Sequence, residues 1–502
     1  MKLTFFVSCD TFTSMKRTIF LTSYQLHPDY LTSIQFDDKR DTLLYVSSRD
    51  QWTYYAFHKQ RLVYHLSSYR HHYETMKAQG ISVVWKESTT LKDALININS
   101  LHGFTPTNFY EKAWLASVSI TLHPDPTFYI SDAEWPAYLP AQKKWKLDPL
   151  YRQFRHRFNV LMENGQPIGH QYSFDSDNRQ GYKGDYIVPR LEFLPDTITL
   201  SMVDRINREF STHPGVVTPF NYPVTRKDAL TMLDHFVTYR LATFGLVQDA
   251  MVKQDPWMSH SLLSASINLG LLSPREVIEA AEKAFQKGLA PLTATEGFIR
   301  QILGWREYIR GVYLCKGPSY LKSNYFNHDQ PLPSFFYDAK TDMHCLSTTV
   351  TETIHHGYNH HIQRLMVISN YANLTKLSPQ QVNRWFNEMY IDSMEWIVAP
   401  NVLGMGLFAD GGQMSTKPYI SSGSYLHKMS NYCDDCSYQV KTKTGLKACP
   451  FNSLYWQFIH QKQEVLSKNP RMSMMVNVWK KMDPELQSLY LKTATFYGKN
   501  SR

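Results

Sequence analysis

Residues 296–313, EGFIRQILGWREYIRGVY, decide how the second half of this chain folds. Phe298, Ile302, Trp305, Ile309 and Val312 recur at three- and four-residue steps, the spacing that gives a helix one apolar stripe. Working outward, the pattern stays helical from about Thr218 nearly to the C-terminus, which makes 219–502 a large all-α domain. Toward the N-terminus the reading changes. Residues 18–23 and 42–47 are short apolar runs rich in β-formers, candidates for buried parallel strands. From Trp52 to Gln79, Tyr55, Leu62, Tyr69, Tyr73 and Met76 keep helical spacing; Gly80 stands where a C-cap belongs, and 81–85 resembles the next strand. Strand, helix, strand predicts a right-handed crossover in a doubly wound, Rossmann-like α/β sheet over 15–147. No G-x-G-x-x-G follows the first strand, so a dinucleotide is not expected in this domain.

Between the two lies 148–218. Its stretch 167–185, PIGHQYSFDSDNRQGYKGD, is polar and without periodicity, and it reads as an interdomain connection on the surface. Residues 1–14 carry an apolar run too short for a signal peptide, and Met15 precedes Lys16, Arg17 and the first strand. A dispensable N-terminal extension is expected, with a cytoplasmic location and no membrane segment.

The chain has 502 residues, enough for two or three domains with a large core. Aromatic residues reach 14%, with 11 Trp and 32 Tyr, which suits plain core packing and equally flavins, flipped bases and electron hopping. The net charge of +9 favours a polyanionic partner, nucleic acid foremost, although a generic basic enzyme has the same balance.

Of six cysteines, Cys433, Cys436 and Cys449 form C-x2-C-x12-C-P, and Cys345 can add a fourth thiolate from a distant helix. Four thiolates suit zinc or an iron–sulfur cluster. A distant fourth ligand and a proline after the last cysteine lean toward the cluster, and spacing alone leaves zinc open. Cys9 and Cys315 have no partner by spacing.

Taken in order, QDAMVKQDPWMSHSLLSASINLGLLSP, EGFIRQILGWREYIRG, HHIQRLMVISN, DSMEWIVAPNVLGMGLFADGG, KPYISSGSY, CDDC and ACPFNSLYW resemble the iron–sulfur bacterial cryptochrome/photolyase family, most of all its prokaryotic (6-4) photolyases. The resemblance covers nearly the whole chain from Met15. It implies a cryptochrome/photolyase fold, with an antenna-binding α/β domain and an FAD-binding helical domain, and a 4Fe–4S cluster on Cys345, Cys433, Cys436 and Cys449. It implies FAD beside Ser259, His260, Ser261 and Ser264 (short hydroxyls that would also serve as a plain N-cap), with Arg364 and Asp392 paired at the ring, and Trp385 and Val398 nearby. It implies a 6,7-dimethyl-8-ribityllumazine antenna near Tyr24, Gln25 and Leu26, just past the first strand.

The implied activity is light-driven electron transfer from reduced FAD to a flipped (6-4) photoproduct in UV-damaged DNA. His361 serves there as proton donor, with His360 as lesser partner and Tyr419 and Asp249 beside the lesion. Moving a hydroxyl between two bases requires a group that titrates near neutrality, which histidine does. The rival reading of this region, zinc on His356 and His360 at i, i+4, lacks an HExxH pattern. Asn178, Arg179 and Lys183 are the implied DNA contacts, and a monomer is expected. Departures stand out: Phe386 replaces a relay tyrosine, Tyr337 a relay tryptophan, and Val398 occupies an expected acidic position. A blue-light sensor without repair, and a cyclobutane-dimer photolyase, are the alternatives.

Overall fold

The computed structural model describes residues 16–140, 145–181, 188 and 191–500. The expected extension 1–14 and Lys183 lie outside them. Five parallel strands, β1 Thr18–Leu21, β2 Thr42–Ser48, β3 Val83–Ser88, β4 Leu101–Phe104 and β5 Thr121–His123, are ordered β3-β2-β1-β4-β5. The order reverses beside β1, where open α/β sheets leave a crevice at the strand ends. Alternation splits the sheet between two layers. Ile19, Leu21, Leu43 and Tyr45 join the main core shared with the helical domain, whereas Phe20, Leu44 and Val46 pack with Leu91, Leu95 and Leu115.

The helix expected over 52–79 is two: Arg49–Thr53 and Lys59–Ala78, the second opened by His58, whose ring accepts from the Gln60 N–H. Its first half is buried on every side, because it runs between the sheet and the helical domain. The connection 148–218 is more ordered than its polar middle suggests. Leu147–Phe158 buries Leu150, Tyr151 and Phe154 against the helical domain, and Thr197–Glu209, capped by Asp196, packs on Lys59–Ala78. Both carry helical apolar spacing, which the Gly- and Asp-rich sequence between them obscures.

Residues 296–313 are helical, with a π-turn: Leu292–Ile299, then π-helical Arg300–Arg306, then Glu307–Lys316. This rod joins the two domains. The buried Glu307 carboxylate accepts the N–H groups of Tyr129 and Ile130 at 3.2 Å each. Arg310 grips Asp132 at 2.8 and 3.0 Å and donates to the Thr107 carbonyl at 2.7 Å. Gly311 lets the indole of Trp135 lie on the helix: a Cβ there would stand 2.2 Å from the ring. Among the described residues no helix is long and apolar enough to cross a membrane.

Candidate active site

Four π-helical turns occur among the described residues: Phe236–Arg240, Arg300–Arg306, Gln363–Ser369 and Pro400–Gly406. Such turns re-aim side chains at functional sites, and the third carries Arg364. Its guanidinium donates to Asp392 at 3.0 and 3.2 Å and to the Asn359 carbonyl at 2.8 Å, and lies 3.9 Å from the centroid of the Tyr390 ring. Asp392 also accepts from the Ser264 hydroxyl at 2.8 Å. The ion pair expected here is formed.

The expected row of hydroxyl donors at a helix start is not how 259–264 is built. The helix is short, Ser264–Leu269, and its first hydroxyl is committed to Asp392. Ser259 pairs with Thr243 at 2.7 Å, and Ser261 accepts weakly from the Leu263 N–H. Arg240, which sequence reasoning missed, holds the segment by donating to the carbonyls of Met258 and His260 at 2.7 and 3.2 Å.

His260 turns instead onto His360. Their rings stack at 4.4 Å and 11°, and His260 Nε2 and both His360 nitrogens are buried without hydrogen-bond partners. Burial lowers the pKa of both; His361 adds to the effect on His260, and His260, His361 and Arg364 to that on His360. His361 is exposed. Lost hydration first, then Arg364 and Arg179, push it down to about 4. Its open face limits that fall.

Arg179 therefore stands close enough to act on His361. It is paired with Asp175 at 3.1 Å and is substantially exposed, as a DNA contact requires. Asp249 lies in its field: burial raises its pKa, Arg179 opposes, and Tyr425 feels both charges. Tyr419 is half-buried with the Lys417 ammonium 6.0 Å from its ring, on a segment held by Asn370–Ser421 hydrogen bonds. Asn178 does not serve the DNA surface. It is 7% exposed, donates to the Thr293 carbonyl at 3.1 Å, and is wedged against Gly245, where a Cβ would come within 2.3 Å of Asn178 Oδ1.

The four cysteines converge. Cys345 sits in the first turn of His344–His356, and Cys449 immediately precedes Pro450–Gln461. The loop between Cys436 and Cys449 folds back through Gln439 N–H to Lys447 O and Cys449 N–H to Gln439 O, at 2.7 and 3.1 Å. Burial raises the Cys345 thiol pKa, and Cys449, Cys436 and Cys433 raise it further. Cys433 is pushed up to about 11 and Cys449 to about 12 by the same two causes. Among the described residues no His, Cys, Asp and Glu group is gathered tightly enough for a single metal ion. Cys315 stands apart on Glu307–Lys316.

A second cavity opens at the ends of β1 and β4, lined by Tyr24, Trp52, Arg61, His65, Tyr110 and Glu111, among others. Tyr24 and Asn108 each donate to Glu111 at 2.7 Å, while His65 Nε2 and Asn108 Oδ1 are buried without partners. Burial carries the Glu111 carboxyl up to about 7, against the pull of those two donors. Of the three residues expected here only Tyr24 lines the cavity. Gln25 is turned inward to accept the Thr22 N–H, and Leu26 is buried with its N–H on the Leu269 carbonyl. The space is about 30 Å³, so a ring system would have to displace side chains.

A family model described as deoxyribodipyrimidine photo-lyase-related protein matches residues 19–222. Over 509 aligned residues the chain is 38% identical to the (6-4) photolyase of Agrobacterium fabrum (strain C58 / ATCC 33970), covering 97% of this chain and 100% of that one. The chain belongs to the (6-4) photolyase family. Its fold is similar to that of a bacterial class III photolyase from Agrobacterium tumefaciens, with TM-score 0.54 at 15% identity over 84% of this chain and 88% of that one. A Synechocystis sp. PCC6803 cryptochrome gives 0.52 at 13% identity, covering 95% and 93%.

In this photolyase the aromatic side chains make a path outward from Arg364. Tyr390 lies under the guanidinium, Trp385 follows at 5.6 Å, and Phe336 and Phe386 flank Trp385 at 5.2 and 5.3 Å. Tyr337, half-exposed, ends at the surface, its hydroxyl on Glu388 at 3.2 Å. Val398 is buried in Glu395–Ala399.

Proposed function

We propose that this protein repairs (6-4) photoproducts in UV-damaged DNA by light. The observation that carries the reading is the cluster formed by the Arg364–Asp392 pair, the stacked His260–His360 rings and the adjoining His361, on which Arg364 and Arg179 both act. FAD, which the unpartnered nitrogens of His260 and His360 and the Arg364–Asp392 pair fit, would supply the light-excited electron donor. Arg364 stabilises negative charge on its side of the pocket, and Asp392 keeps it oriented. Arg179 offers a cation to the backbone of a strand whose damaged base is flipped out; flipping costs a few kcal/mol, least for a base already unstacked.

His361 gives a proton to the lesion hydroxyl in transit and takes one back. The polyanionic strand and the charge arriving on the lesion favour its protonation, since nearby negative charge raises an imidazole's pKa. Asp249 and Tyr419 line the approach.

The cysteine set is proposed to hold a 4Fe–4S cluster. Cys345 and Cys449 are buried and Cys433 and Cys436 half-buried, and four such sulfurs brought together would hold a cationic centre that stabilises them as thiolates. Iron and acid-labile sulfide in equal amounts support this; zinc alone overturns it. The cavity beside Tyr24 is proposed to take the lumazine antenna through His65, Asn108 and Glu111, with Trp52 and Tyr110 moving aside.

The test is illumination of the reduced protein with an oligonucleotide carrying one (6-4) lesion. Repair is expected from the wild type and lost in His361→Asn, with lesion affinity retained. Intact lesion in both samples overturns the reading in favour of a photosensor, which Phe386 would suit; repair of cyclobutane dimers that survives His361→Asn would mean the other photolyase activity.

A further inference from the structure

A buried polar chain that none of these roles uses runs between the histidine pair and the cysteine loop. Glu352, on His344–His356, is 8% exposed. Its Oε2 accepts from Gln363 Nε2 at 2.5 Å and Asn359 Nδ2 at 3.2 Å, while Oε1 is buried without a partner. Both amides act on the active site. Gln363 Oε1 accepts the His360 N–H at 3.0 Å, and Gln363 Nε2 also reaches the Tyr432 hydroxyl, one residue before Cys433, at 2.8 Å. Asn359 Oδ1 accepts from Tyr390 at 2.8 Å and Thr353 at 2.5 Å, and its carbonyl accepts from Arg364. The residues that precede and follow His360–His361 are thus both anchored on one carboxyl.

The surroundings set its charge. Tyr390 and Tyr432 contribute phenols, and the ionisable group whose field reaches Glu352 most strongly is Asp255, an acid. Burial and Asp255 push the carboxyl up to about 8, against the pull of Gln363 and Asn359. Ionised, it would leave Oε1 a buried anionic oxygen without a hydrogen-bond partner, the arrangement proteins avoid by holding the proton.

We propose that Glu352 is kept as a neutral carboxylic acid and acts as a positioning residue, fixing His360–His361 and Arg364 through Gln363 and Asn359. This rests on the reading of those residues as the groups that face lesion and flavin. Glu352→Gln copies the neutral acid in shape, whereas Glu352→Leu removes the acceptor and strands two buried amides.

The experiment uses the flavin-loaded protein. Infrared spectra of wild type and Glu352→Gln at pH 7 are expected to differ by the C=O stretch of a protonated carboxyl, present only in the wild type. Single-turnover repair in Glu352→Gln should keep the wild-type pH profile and stay within about twofold, while Glu352→Leu loses about 10–100-fold at unchanged flavin content and lesion affinity. Absence of the protonated band, Glu352→Gln failing as badly as Glu352→Leu, or Glu352→Leu repairing like wild type each overturns the proposal. If Glu352→Leu does not fold, the infrared and Glu352→Gln arms decide. Should the wild type repair nothing, the functional reading falls separately, and the band still tests the neutral acid.

Discussion

Replacing Asp392 by Asn tests whether the Arg364 pair holds the site together. The carboxylate accepts two guanidinium N–H bonds and the Ser264 hydroxyl, with side chains only 21% and 12% exposed. Asn keeps one acceptor oxygen and turns an amide N–H toward a guanidinium N–H, leaving Arg364 buried and half paired. Breaking one partner of a buried pair costs about 3–5 kcal/mol. Here Arg364 keeps the Asn359 carbonyl and the Tyr390 ring, and a desolvated cation–π contact retains about 2 kcal/mol. The expected loss is therefore about 1–3 kcal/mol, read from denaturant unfolding of the flavin-loaded protein followed by flavin release. In a double-mutant cycle with Arg364→Met, the pair should couple by about 1 kcal/mol or more. A loss under about 0.5 kcal/mol, the worth of an exposed ion pair, would refute the argument that this pair is desolvated and structural.

Gly311→Ala should destabilise although alanine is the better helix former by about 1 kcal/mol. The added methyl meets the fully buried Trp135 ring at 2.2 Å, and overpacking costs about 1–3 kcal/mol or more; an unchanged melting midpoint counts against the close packing. Phe386→Tyr restores an oxidisable phenol 5.3 Å from both Trp385 and Tyr390, so flavin photoreduction under steady illumination should speed up. No change would mean that Tyr390 and Trp385 suffice. Glu111, whose pKa is raised to about 7 by burial, contributes stability that is full below its ordinary value and lost as pH rises through the folded one. Unfolding midpoints of Glu111→Gln should accordingly fall less than wild type between about pH 5 and 8, and parallel curves would contradict a buried neutral acid.

Much of this was legible because it is periodic or local. The apolar steps in 296–313 predicted a helix there, and strand-like runs at 18–23 and 42–47 predicted β1 and β2. The Cys433–Cys436–Cys449 spacing pointed to cysteines that the folded-back loop brings near one another. The misses share a cause: each depends on contacts far apart in sequence. Nothing in residues 167–185 says that Asn178 is a wedge, because the glycine that receives it is Gly245. His260 stood in a row of serines and was read with them, although its ring belongs to His360. Glu352, Gln363 and Tyr432 carry no motif, and only folding assembles them. Strands β4 and β5 are too short for alternation to mark them.

Asn178 has a consequence for its neighbour. Arg179 sits in the left-handed region at φ 64°, held by its own N–H on the Gly245 carbonyl and by Gln180 N–H on Leu246. A flexible arm would have to surrender its conformational freedom each time it met a phosphate, weakening every encounter. Here that freedom is lost when the chain folds, so, as the proposed DNA contact, the guanidinium would meet a strand from a backbone already set.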